Sequence, residues 1–376
     1  MGKIAIITLN GYFNYGNRLQ NFALQEVLKS MKFEVETIVY INNSQKPRKP
    51  FIKRIINILK KGPIKIIYIV CHRFIDKVNH NPNRYIHRTR CFKVFTLENI
   101  KETDYTISDK KLPDNLSGKY DYFVVGSDQV WNPSYNEGSS FFFLSFAEKH
   151  KRIAYAPSFG VSEIKPEFIE KYKEWLTGMH RISVREEDGA KIIKDLTGRD
   201  APVLVDPTML LTREKWLTIA KEARNKPKKN YLLTFFLGGQ PNQYRKQIKN
   251  CIRDNNLDVI NLGDYYEKNT YMSGPGEFID YINSCSLVFT DSFHGTVFAI
   301  LFEKPFIVFK RPGSMNMYSR INTLLDKFEL NSRKIENISS KENILNMDFS
   351  SIPTILEVER KKAMDYLKEV LNVEDV

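Results

Sequence analysis

The chain has 376 residues, 42% of them hydrophobic and 27% charged, with 25 Phe, 19 Tyr and 3 Trp. That length suits two domains better than one core, and that composition excludes wholesale disorder and a collagen-like or low-complexity chain. The formal net charge of +13 is local: residues 45–95 carry 14 Lys/Arg and one acid, Asp76, while the remainder balances at 43 basic and 43 acidic residues. A basic groove spread over both domains is therefore disfavoured. A non-catalytic nucleic-acid-binding protein acting through the basic segment is kept only as an alternative.

Residues 4–9 (IAIITL) form a continuous apolar, β-branched run, the pattern of a strand buried on both faces. A polar loop, Asn10 to Asn17, follows, and Leu19, Phe22, Ala23, Val27 and Leu28 recur at helical spacing. Phe33 to Tyr40 is predicted as a second strand, which makes a βαβ opening and implies a parallel sheet. After the basic segment, strands are predicted at 121–126 (DYFVVG), 152–156 (RIAYA), 181–185 (RISVR) and 202–205 (PVLV). The polar stretch 221–230 (KEARNKPKKN) is read as the inter-domain connection. A second α/β set begins at 231–237 (YLLTFFL) and continues through strands at 259–262, 287–290 and 306–309. A final amphipathic helix is expected from about 352 to 372, with Ile355, Val358, Met364, Leu367 and Leu371 on its apolar side.

The predicted architecture is α/β. An N-terminal Rossmann-like domain (1–220) carries a basic insertion at about 45–95; a C-terminal Rossmann-like domain (221–350) faces it across a cleft. A C-terminal helix (351–376) is expected to pack back on the first domain. In such sheets ligands bind beyond the carboxyl ends of the strands, so two facing domains create a site between them.

The four cysteines, Cys71, Cys91, Cys251 and Cys285, form no CxxC pair, and the six histidines show no metal-ligand spacing. We therefore expect no metal, no redox cofactor and a cytoplasmic protein, the opening MGKIAIITLN reading as a strand rather than a secretory signal.

The chemistry concentrates where strands end. In TDSFHGTVFAILF (290–302), Asp291, Ser292, Phe293, His294 and Gly295 form the turn between a strand and a buried helix. A helix N-terminus favours an anion, and His294 puts a titratable group beside it. Arg185, at the end of SVREEDG, offers a fork of donors for phosphate or carboxylate. In GSDQVWNP (126–133), Gly126 permits close approach and Ser127, Asp128 and Gln129 can bond sugar hydroxyls. Trp131 can stack on a sugar ring, and Asp128 can serve as a base. Asn14, Asn17 and Arg18 of NYGNRLQ could line the same cleft. Gly238 and Gly239 make a turn after the first strand of the second domain, without the GxGxxG of a nicotinamide site.

Together these motifs resemble the polysaccharide pyruvyl transferase family. NYGNRLQNFALQEVLK, VVGSDQVWNP, RIAYAPSFG, ISVREEDGA, VLVDPTMLL and TDSFHGTVFAILFEKPF occur in the family's order over roughly residues 1–330. The resemblance implies a fold like the two-domain GT-B glycosyltransferases. It implies transfer of pyruvate from phosphoenolpyruvate, as co-substrate, to a saccharide acceptor such as a polyprenyl-linked precursor, as a ketal. It also implies that Arg185 and His294 belong to the phosphoenolpyruvate site. Some members carry an arginine two residues before that histidine; here Ser292 stands there, with Arg320 or Arg311 as replacements. His294 is the expected acid, Asp128 the expected base. Donor contacts are expected from Arg185, Ser292, Phe293, His294, Gly295, Gly238, Gly239 and Arg320. Acceptor contacts are expected from Asn14, Asn17, Arg18, Gly126, Ser127, Asp128, Gln129 and Trp131. The alternative on the same architecture is a glycosyltransferase with a nucleotide-sugar donor.

Residues 51–70 alternate Ile, Leu and Phe with Lys and Arg around Pro63, the pattern of two short basic amphipathic helices. Two readings stand: an insertion that packs its Ile face on the N-terminal domain with solvated lysines, or peripheral contact with a membrane surface through residues 46–90.

Overall fold

The computed structural model describes residues 2–41, 82–108, 111–136, 139–312, 318–338 and 343–373. The expected amphipathic helices of 51–70 lie outside those residues, as does Cys71.

Six strands form the first sheet: β1 (Lys3–Ile7), β2 (Glu34–Tyr40), β3 (Glu102–Ile107), β4 (Tyr122–Val125), β5 (Arg152–Ala154) and β6 (Arg181–Ile182), in the order β3-β2-β1-β4-β5-β6. Every pairing is parallel, as in Ile4 opposite both Val35 and Tyr122. Four more strands form the second sheet, also parallel: β7 (Tyr231–Phe235), β8 (Asp258–Leu262), β9 (Leu287–Thr290) and β10 (Phe306–Val308), in the order β10-β9-β7-β8. The chain winds outward in both directions from β1/β4 in the first sheet and from β7/β9 in the second. Each sheet therefore has a switch point where its strand ends leave a crevice.

The strands that flank the switch points are mostly apolar. Ile4, Ala5, Ile6, Phe123, Val124, Val125 and all of β7 and β9 are buried, as strands covered by helices on both faces require. The expected strand at 202–205 is instead an irregular segment held by one parallel bridge, Val184 to Val203. Pro202 has no N–H to extend a ladder. The expected strands at 152–156 and 181–185 end early, at Ala154 and Ile182. β3 (ETDYTI) carries too many polar residues to read as a strand, and it sits at the sheet edge where they meet solvent.

One hydrophobic core runs beneath both domains. Tyr15, at the start of the helix Tyr15–Ser30, stacks on Phe278 of the second domain at 4.6 Å and on Phe92 at 5.1 Å, and its hydroxyl donates to Ser273 O at 3.0 Å. Phe22 and Phe298 close on Trp216 from opposite domains. The C-terminal helix, Ile352–Val370, crosses back to the first domain: Arg360 donates to Met209 O and Leu211 O, and Tyr366 to Ala154 O. Its buried stripe is Ile352, Leu356, Glu359, Ala363, Leu367 and Val370; of the expected apolar side Leu367 and Leu371 are buried, Ile355 and Met364 pack against the core, and Val358 is exposed. Lys327 and Lys362 pair with Glu359, which lets a charged residue occupy the buried stripe.

Candidate active site

A cavity of about 450 Å³ opens where the two switch points face each other. Thr8, Leu9 and Asn10 enter it from the end of β1, Asp128 and Gln129 from the end of β4, Leu237 from β7, and Ser292, Phe293 and His294 from β9. Arg311 and Arg320 close it from the second domain.

Two helices begin at this cavity. Asn14 caps the helix Tyr15–Ser30, its side chain accepting from Asn17 N at 3.3 Å. Ser292 caps Phe293–Leu301 by accepting from Gly295 N at 3.3 Å. Their N-termini touch: a Cβ on Gly16 would lie 2.1 Å from His294 Nδ1. Only glycine lets the His294 ring lie against the first helix. Two positive helix ends therefore converge on one pocket, which favours an anion there.

Behind the wall is a buried charge chain. Asp206 caps the short turn Pro207–Leu210, accepting from Thr208 N at 3.0 Å, Thr208 Oγ1 at 2.7 Å and Ser127 Oγ at 3.0 Å. Arg185 bonds Asp206 through Nη1 and approaches Asp128 at 3.3 Å through Nη2. His294 Nε2 is 3.6 Å from Asp206 Oδ2, buried and without a hydrogen-bond partner. Burial opposes the charge on both acids. The nearby cations prevail, His294 and Arg185 at Asp206, and Arg185, His294 and Arg320 at Asp128, so both carboxyls stay below their usual range. Asp128 sits at φ 63°, in the left-handed region that Asp tolerates better than most residues, and Asn17 Nδ2 donates to it at 2.5 Å.

Arg320 is differently placed. Its nearest carboxylate, Asp128, is 3.9 Å away, and its Nε is buried without a partner. Burial, with Arg185 adding repulsion, pushes its guanidinium down to about 10. A buried cation this short of negative partners gains from an anionic ligand.

The structure thus brings Asn14, Asn17, Asp128, Gln129, Ser292, Phe293, His294 and Arg320 to one cavity. Other sequence candidates stand elsewhere. Arg185 does not line the wall; it is covered by Phe293, whose ring centre is 4.2 Å from its guanidinium. Arg18 is turned inward to Glu102 and Leu9 O. Trp131 is fully buried, stacked on Phe143 and bonded to Phe142 O, so it offers no face to a sugar. Ser127 is fully buried and bonds Ala156 O and Asp206. Gly126 is needed for the neighbouring strand end, since a Cβ there would meet Tyr155 O at 2.1 Å. Gly295 packs on Thr290, where a Cβ would lie 2.5 Å from Oγ1. The Gly238 N–H donates to Asp291, and Gly239 is exposed outside the cavity. Gly126 and Gly295 are thus required by chain packing, whereas a Cβ on Gly239 would meet nothing within 4 Å.

Sequence reasoning missed Gly16, Asp206 and Glu186. Gly16 lies inside the quoted motif NYGNR, and Asp206 follows the predicted strand directly, which was the available signal. Glu186 is fully buried and accepts from Ser158 Oγ, Phe159 N and Gly160 N, fixing the loop beside Arg185.

The family model for polysaccharide pyruvyl transferase matches residues 14–312. The chain belongs to the polysaccharide pyruvyl transferase family. That family is a family of transferases, and the matched span contains the cavity wall from Asn14 to Arg311, leaving Thr8, Leu9, Asn10, Gly11 and Phe13 before it and Arg320 after it. No curated protein matches the chain. Among solved structures, Staphylococcus aureus MnaA in complex with UDP is similar at 12% identity and a TM-score of 0.46, over 100% of this chain and 98% of that one. The UDP-GlcNAc 2-epimerase of Methanocaldococcus jannaschii is similar at 11% identity and 0.44, over 95% and 98%. ADP-heptose LPS heptosyltransferase II of Escherichia coli is similar at 12% and 0.37, over 98% of each chain.

Proposed function

We propose that the protein transfers pyruvate from phosphoenolpyruvate to a saccharide as a ketal. The observation that carries this reading is the cavity at the two touching helix ends. It holds His294 and the under-neutralised Arg320 on one side and the hydroxyl-bonding Asn14, Asn17 and Asp128 on the other.

Phosphoenolpyruvate brings a phosphate and a carboxylate. Arg320 and the converging N–H groups suit those anions, with Arg311, held at 3.2 Å from Asp291, beside them. Asp206 Oδ2 faces Nε2 of His294 at 3.6 Å. The other ring nitrogen is then left to donate a proton to the methylene carbon of the enol. The neighbouring carbon becomes oxocarbenium-like and is attacked by a sugar hydroxyl, whose proton passes to Asp128. A second hydroxyl displaces inorganic phosphate, which takes the second proton. Arg185 touches no substrate in this scheme. It holds Asp128 and Phe293 in place, a positioning role.

Thermal denaturation tests the donor site. Phosphoenolpyruvate at 100 times its dissociation constant should add about 2.7 kcal/mol of stability, and Arg320→Met should remove that gain. Stabilisation by a sugar nucleotide but not by phosphoenolpyruvate would overturn the reading in favour of a glycosyltransferase.

Gly16→Ala tests the placement of His294. Alanine inside a helix is favoured over glycine by about 1 kcal/mol, so the fold should hold. The new methyl group would displace the His294 ring, and a misplacement near 1 Å costs about 10²-fold in turnover. Phosphate release assayed beside a denaturation curve separates the two effects; full turnover in a variant of normal stability would refute the assigned geometry.

A further inference from the structure

We propose that the outward face of the helix Pro82–Asn99 docks the protein on an anionic lipid bilayer. The inward face of this helix is fully engaged. Phe92 and Phe95 are buried, and Arg88 donates to Tyr15 Oη, Tyr271 O and Phe13 O. The opposite face leaves large apolar side chains in water: Leu97 is 84% exposed and Ile86 61%, with Tyr85 and Val94 on the same side. Scattered apolar residues on a surface are ordinary, but here four share one helical face with Arg90 and Lys93 between them. A helix that interleaves aliphatic side chains with cations suits the boundary between lipid headgroups and acyl chains.

Charge selects the occupant. The outward side carries the exposed cations Arg90 and Lys93, while the helix's acid, Glu98, is paired with Lys221; the helix begins within the 45–95 stretch that holds 14 Lys/Arg and one acid. A second copy would bring like charge onto like charge. A nucleic acid would use the cations and leave Ile86, Val94 and Leu97 unburied. An anionic bilayer satisfies both the cations and the aliphatic groups, with no need to span it; among the described residues no helix is long and apolar enough to cross a membrane. The inward face of the same helix reaches the cavity wall. Arg88 holds Phe13 through its carbonyl, and Phe13 lines the cavity. Docking here would set the cavity next to the lipid surface, where an acceptor carried on lipid would arrive. Vesicle binding reads this surface without turnover, so its outcome is separate from that of the proposed reaction.

The test is flotation of the full chain with vesicles of phosphatidylglycerol and phosphatidylcholine, against phosphatidylcholine alone. The wild type should float only with the anionic vesicles and release as salt is raised. Ile86→Ser combined with Leu97→Ser should weaken binding at least tenfold, with an unchanged unfolding midpoint. Arg90→Gln combined with Lys93→Gln should weaken it at low salt. Three results would overturn the proposal: a wild type that ignores anionic vesicles, a serine variant that floats like the wild type, or a wild-type dimer in solution that the serine variant splits.

Discussion

Replacing His294 with Ala should lower turnover by about 10²–10⁴-fold, the range for loss of a positioned proton donor, equivalent to about 3–5 kcal/mol of barrier. The effect should fall on the chemical step rather than on folding. His294 lies in the first turn of its helix, and its buried Nε2 makes no hydrogen bond that an alanine would orphan elsewhere. Phosphoenolpyruvate should still stabilise the variant, because Arg320 and both helix N-termini remain. The measurement is phosphate release under saturating phosphoenolpyruvate and a saccharide acceptor, beside a thermal shift with the same ligand. Retained binding with lost release marks a proton donor. Full release would remove His294 from that role, and loss of both would make it a binding group instead.

Asp206→Ala should be the most damaging change to stability, costing about 3–5 kcal/mol, because it leaves Arg185 buried with one carboxylate fewer. It also removes the cap that receives both Thr208 donors. The pH dependence has a definite sign. Asp206 is held below its unfolded value near 3.9, so its contribution is complete above that pH and fades as pH falls below it. The stability difference between wild type and variant should therefore be constant from about pH 8 to 5 and shrink below about pH 4. Urea unfolding across that range measures it; a difference that instead grew in acid would contradict an ionised Asp206.

The two experiments separate what the buried charges do. Arg185, Asp206 and Asp128 form a chain in which only Asp128 reaches the cavity. The chain fixes where His294 and Phe293 stand, and it does so in a region from which water is excluded, where each charge acts strongly on the next. A lesion at Asp206 should therefore reach turnover through folding, whereas a lesion at His294 should reach it directly.

Much of this was legible in the sequence. Continuous apolar runs such as IAIITL and LVFT announced parallel strands buried on both faces, and the polar motifs after them marked where ligands meet a doubly wound sheet. The turn before His294 was readable because a strand end, a cap and a helix start follow one another within a few residues. Local pattern failed where a residue's surroundings come from distant chain. Trp131, Arg18 and Ser127 are polar or amphipathic residues in a motif that touches the cavity, and nothing in their spacing says which way they turn. Arg185 looked like a free clamp because its partners, Asp128 and Asp206, are 57 and 21 residues away. Gly16 and Gly295 carry the same residue type for opposite reasons. One makes room for a histidine of the other domain, and the other lies against the threonine at its own strand end. The sequence alone determined most of the buried strands, the first and last helices and the loops that bear the chemistry, since periodicity and capping are local. The tertiary structure alone decided which of those side chains face the cavity and which cation is left with only a distant carboxylate, because burial and charge pairing depend on what the rest of the chain brings near.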